Sequence, residues 1–171
     1  MAPPSNDYLL AIHEAGHATA ALALGYLSKG LSLGQDRGTS LDSLSRTRYD
    51  PTEAKYWVLL KHEVLILLAG EFAMRLLNES LGDDFGDDFD AYGSQMDRSK
   101  IGYLIEEIYA AEGGSALVIE NSFERDVIAL LKDRMPHVQL LARELQLKRQ
   151  LSGNEIELLL ANMKKERTSA A

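Results

Sequence analysis

A chain of 171 residues with 46% hydrophobic and 26% charged residues has the make-up of one ordinary globular domain, long enough to bury a real core. Its net charge of −8 and isoelectric point near 5.0 argue against a nucleic-acid binder and against docking on an anionic membrane surface. The absence of cysteine excludes disulfides, thiolate metal sites and a cysteine nucleophile.

Met1 to Asp7 lacks the basic start and apolar middle of a signal peptide, and the longest apolar run, Val64 to Gly70, is far too short to span a bilayer. The expectation is a cytoplasmic protein without membrane insertion, a single domain over 1–171 with tails lacking fixed structure at 1–6 and 167–171. Ser5 to Asp7 supply N-cap residues for a first helix that ends at Gly25. Leu31-Ser32-Leu33, a turn over Gly34 to Gly38, and Thr39-Ser40-Leu41 with Leu44 then read as a small hairpin or an edge strand, with a structureless loop as the equal alternative.

Asp50-Pro51-Thr52-Glu53 has the form of a helix start, with Asp50 as cap and proline at the first helical position. The helix that follows runs to about Asn78 and is apolar almost all round from Val64 to Ala69, so it belongs at the centre of the core. Lys61, His62 and Glu63 should lie on its exposed side. Leu81 to Gly93, with Asp83, Asp84, Asp87, Asp88 and Asp90 among glycines, reads as a solvated loop rather than a calcium site, since the calcium-loop spacing is not met.

A helix from Gly93 or Ser94 to about Ala111 follows, then another from near Ser115 to about Lys148 that Pro136 kinks or splits. His137 reads as structural or exposed. Ser152-Gly153-Asn154-Glu155 is a capping box opening a last helix over Ile156, Leu159, Leu160 and Met163, with Lys164, Lys165 and Arg167 suited to its C-terminal dipole. The fold is expected to be mainly α.

The chemistry lies in the first helix, at His13-Glu14-Ala15-Gly16-His17. Two histidines four apart on a helix stand one turn above each other, so both imidazoles can reach one ion. Glu14 points about 100° round the axis, beside the ion, where it can take a proton from a water that the ion polarises. A hydrolytic zinc site wants three protein ligands and an open fourth position. Two core histidines on an amphipathic helix are the plainer reading, but Leu9, Leu10, Ala20, Ala21 and Leu24 surround them with apolar surface, where unpartnered imidazoles are costly.

A third histidine six residues after His17 would fall at Ala23, so the metzincin pattern is absent. Glu63 shares a patch with Lys61 and His62 and should face water, while Glu71, at the end of the apolar run, stays open as third ligand. Asp97 is the stronger candidate. It precedes Ile101, Leu104, Ile105 and Ile108 at helical spacing, on the face that enters the core, although such a carboxylate can also serve the N-terminus of its own helix.

With these residues in view, the chain resembles the peptidase domain of the FtsH family of membrane-anchored, ATP-dependent zinc proteases. His13-Glu14-Ala15-Gly16-His17-Ala18 matches that family's HEAGHA motif letter for letter. Arg37-Gly38, Leu68-Ala69-Gly70, Ser94-Gln95-Met96-Asp97 and Leu151-Ser152-Gly153-Asn154-Glu155-Ile156 are similar to further family segments in the same order. The resemblance implies a compact helical zinc-peptidase domain in which His13, His17 and Asp97 bind Zn2+ and Glu14 is the general base. This sequence departs from the family at Met74-Arg75, where an acidic pair is usual, at Leu41-Asp42, where Leu-Gly is usual, and by one extra residue between Ser94 and Asp97.

No G-x-x-x-x-G-K-[ST] loop is present, so the chain cannot hold ATP through a P-loop. The expected activity is hydrolysis of peptide bonds in peptides or unfolded segments, with a homo-oligomer or a separate ATPase as the partners to look for. The rival expectation is a catalytically silent zinc-binding interaction module derived from such a peptidase.

Overall fold

The computed structural model describes residues 5–26, 30–33, 52–82 and 94–169, which form six helices and two short strands. In chain order these are α1 (Asn6–Ala23), β1 (Gly30–Ser32), α2 (Ala54–Leu81), α3 (Ser94–Glu112), α4 (Ala116–Lys132), α5 (Met135–Lys148), β2 (Gln150–Ser152) and α6 (Gly153–Ser169). The mainly helical class expected from the sequence is what forms, with a small antiparallel sheet that includes a strand after the first helix.

The hub is α2, which packs against α1, α3 and α4, while the other side of α1 is covered by α5. Its all-round apolar stretch explains this position: Leu60, Val64, Ile66, Leu67 and Ala69 are all buried and meet neighbours on several sides. The α1/α2 crossing is unusually tight because small residues line it. A methyl group on Gly16 would stand 2.4 Å from the Ala69 carbonyl oxygen and 2.8 Å from the Ala73 Cβ. Beside α2, α3 runs antiparallel, joined by ion pairs and hydrogen bonds from Tyr56 to Glu107, Glu63 to Lys100 and Glu71 to Arg98.

Local chemistry sets the element ends. Ser5 accepts the Tyr8 N–H at 3.3 Å and so caps α1. Pro136 falls in the first turn of α5, where its missing N–H costs nothing, and so separates α4 from α5. At α6 the capping box closes both ways: the Ser152 N–H donates to Glu155 Oε2 at 2.9 Å, and the Glu155 N–H to Ser152 Oγ at 3.3 Å. The strands pair Gly30 with Ser152, Leu31 with Leu151 and Ser32 with Gln150, turning the two leucines into the core.

Several expectations change. Among the described residues the partner of β1 is β2, from the far end of the chain; the second limb of the expected hairpin, 39–44, lies outside the described residues. The central helix starts at Ala54, with Glu53 at the cap position and no side-chain cap bond, one turn after the expected start; Tyr56 is its first buried anchor. Glu63 is buried, not exposed, because Lys100 Nζ reaches it at 3.0 Å. His62 is half-buried, its Nδ1 in a 2.7 Å hydrogen bond with the Tyr26 hydroxyl, and burial lowers its proton affinity. His137 is half-buried in the first turn of α5. Ser5 and Asn6, assigned to a tail, begin α1, and α6 continues through Arg167 to Ser169. The acidic stretch 83–90, Asp50-Pro51, Arg37-Gly38, Leu41-Asp42 and the side chains of Lys164, Lys165 and Arg167 lie outside the described residues.

Candidate metal centre

His13 and His17 stand one turn apart on the side of α1 that faces α2, and both are buried. Asp97 comes from the first turn of α3 and stays partly open to solvent, with 23% of its side chain exposed. Three atoms converge. His13 Nε2 lies 3.1 Å and His17 Nε2 3.2 Å from Asp97 Oδ2, and the two nitrogens are 2.9 Å apart. Ligand atoms held tetrahedrally on zinc at ~2.0–2.1 Å stand about 3.3 Å from one another, so the observed triangle needs only a small expansion to accept the ion.

The protons point the same way. His17 Nδ1 is 2.6 Å from the Ile66 carbonyl oxygen, which can only accept. That nitrogen therefore carries the hydrogen, and in the neutral ring Nε2 presents a lone pair to the centre. Gly70 makes this bond possible. A helical side chain leans toward the preceding turn, so any residue at 70 would cover the carbonyl of Ile66. A methyl group there would lie 2.7 Å from His13 Cε1, His17 Cε1 and His17 Nε2. The two rings rest on the bare backbone of α2, edge to face with centroids 4.5 Å apart.

Three acceptor-type atoms at this separation need a cation or a proton between them. Burial and the neighbouring His17 push the proton affinity of His13 down. For His17 burial acts in the same direction, but the hydrogen bond and charge of Asp97 outweigh it and raise the value. Burial alone would raise Asp97; its bonds to both imidazoles instead hold it far below the usual carboxylate range. These directions favour a proton held between His17 and Asp97 when no metal is bound, at the place a divalent cation would take. His13 Nδ1 is buried with no hydrogen-bond partner among the described residues, so only His17 has its ring fixed from behind.

Glu14 is buried next to this cluster, and its charge raises the proton affinity of both histidines. The other candidate for third ligand goes elsewhere. Glu71 is engaged by Arg75 and by Arg98, whose Nε and Nη2 donate to its two oxygens at 2.9 and 3.1 Å. Among the described residues, His13, His17 and Asp97 form the one group of three or more such side chains spaced to hold a metal ion. Sequence reasoning missed the Ile66 carbonyl and Arg98, and took Gly70 only as part of a family-like segment, not as the bare backbone beneath the imidazoles. A glycine inside an otherwise apolar helix was the available signal for the Ile66 carbonyl and for this role of Gly70.

Neither a protein-family model, nor a curated protein, nor a solved structure matches this chain.

Proposed function

We propose that this chain is a zinc-dependent metallopeptidase domain that hydrolyses peptide bonds in peptides or unfolded protein segments, similar in kind to the FtsH peptidases. The observation that carries the reading is the convergence of His13 Nε2, His17 Nε2 and Asp97 Oδ2 within about 3 Å of one another, with Glu14 buried alongside. Two nitrogens and one carboxylate oxygen, with the carboxylate side open to solvent, are the donor set of a hydrolytic zinc site. They are not that of a closed structural one.

Zinc held there would supply a Lewis acid that polarises a scissile carbonyl and makes a nearby water easier to deprotonate. The chain's own groups do the rest. His17, fixed by Ile66, and His13 orient the centre from α1, and Asp97 offsets part of the ion's charge from α3. Glu14 accepts the proton of the attacking water and returns it to the leaving amine. The carbonyl carbon gains the water oxygen as the C–N bond breaks, so water alone balances the reaction. These 171 residues contain no P-loop, so by themselves they act on peptides and unfolded segments rather than on folded substrates.

Glu14→Gln tests the reading against unfolded casein and a peptide library, with and without chelator. The expected result is zinc retained at wild-type stoichiometry and cleavage lost. Cleavage equal to wild type in that variant rules the mechanism out. Zinc without turnover in the wild type leaves the silent zinc-binding module instead.

A further inference from the structure

We infer that Glu71 is a positioning residue for the metal centre, acting through Arg98 to set the reach of Asp97. The inference rests on the metal-site reading above. Glu71 is a buried carboxylate on α2, one residue past the glycine on which the imidazoles rest. Arg98 is the residue after Asp97 and grips both Glu71 oxygens with Nε and Nη2, a two-pronged contact that fixes orientation as well as distance. Hydrogen bonds from Arg98 and the charge of Arg75 keep Glu71 ionised despite its burial.

The geometry explains why the centre needs such a tie. Asp97 sits in the first turn of α3. A helix terminus frays unless something holds it, and a metal ligand must be placed to within about 0.2 Å. The α3 helix lies against α2 and α4, so the Asp97 carboxylate must reach across to α1. Glu63–Lys100 anchors α3 two residues further in, and Glu71–Arg98 anchors the residue next to the ligand itself. Both glutamates come from α2, the helix that also seats His17 through Ile66. One rigid element therefore sets the position of both sides of the site.

The test measures zinc affinity by competition with a chromophoric chelator, with the metal alone as probe and the full chain as protein. Variants are Glu71→Gln, Arg98→Met, the double variant, and the swap Glu71→Arg with Arg98→Glu. Arg98 is half exposed, so Arg98→Met should leave the fold intact; far-UV circular dichroism in chelator verifies it. The expected result is a 10–100-fold loss of affinity in each single variant, no further loss in the double, and partial recovery in the swap. Cobalt loaded in place of zinc should show an altered visible spectrum in Arg98→Met, which mere loss of stability would not produce. Wild-type affinity in both single variants overturns the inference while leaving the metal site standing. Loss in Glu71→Gln with affinity kept or raised in Arg98→Met overturns it too, because a freed Glu71 would then be a ligand itself. No zinc on the wild type overturns the metal-site reading, and this inference with it.

Discussion

Replacing Gly70 by alanine separates what the fold needs from what the site needs. A methyl carbon at 70 would stand 2.7 Å from three atoms of the two imidazoles, whereas non-bonded carbons rest about 3.5–4.0 Å apart. The rings or the helices must therefore yield by roughly 1 Å. A metal ligand tolerates only about 0.2 Å, so the site loses its geometry before the core loses its packing. Swinging His17 away also stretches its 2.6 Å bond to Ile66, which fixes the proton on Nδ1. Overpacking costs about 1–3 kcal/mol, but alanine gains about 0.8–1.0 kcal/mol over glycine inside a helix. The metal-free protein is then destabilised by no more than about 2 kcal/mol, while zinc affinity falls at least 10–100-fold.

Two measurements check this: chelator competition for zinc, and thermal unfolding in excess chelator. Gly102→Ala is the internal control, since Gly102 is exposed on α3 and a methyl group there meets nothing within 4 Å. It should raise stability by about 0.8–1.0 kcal/mol, or roughly 2–4 °C in Tm, with zinc affinity unchanged. Wild-type zinc affinity in Gly70→Ala would refute the reasoning, because the rings would then not depend on the bare backbone of α2.

The ligand set itself is open to metal analysis. His17→Ala and Asp97→Ala should each lose stoichiometric zinc, and full retention in Asp97→Ala would remove the carboxylate from the set. The pH dependence of stability should differ with and without metal. In the metal-free protein the raised His17 value means that its stabilisation is complete below 6.5 and lost as pH rises through the folded-state value. With zinc bound the imidazoles must be deprotonated, so zinc affinity should rise over that same interval, while the stability of the zinc-bound protein stays level across it. Parallel Tm-against-pH curves with and without chelator would contradict the shared-proton account.

How legible all this was depends on the distance over which each interaction acts. The HEAGH turn, the Ser5 cap, the split at Pro136 and the Ser152/Glu155 box are contacts within four residues or one proline ring, and the sequence pattern carries them. Asp97 was found because apolar spacing placed it on the inward face of α3. The strand pairing was not legible: Gly30–Ser32 and Gln150–Ser152 are three residues each, too short for alternation to register, and lie more than a hundred residues apart. Glu63 was misjudged for a related reason. Its local neighbours Lys61 and His62 suggested a wet face, but the charge that permits its burial is Lys100, on another helix.

These cases bear on how the site is built. Two of the three proposed ligands come from one turn of α1 and need only that turn to form, whereas Asp97 is in place only once α3 is seated on α2. An ion bound there would tie α1 to a helix that lies mainly along other partners, and its binding energy would become folding energy for the start of α3. At the same crossing, Gly16 lets α1 descend onto Ala69 and Gly70 leaves the hollow that the imidazoles fill. Each glycine gives up helix propensity of about 0.8–1.0 kcal/mol, a cost that close packing alone could avoid with alanine and a slightly wider crossing. That both positions accept it points to the imidazoles, rather than the core, as what the α1/α2 spacing serves.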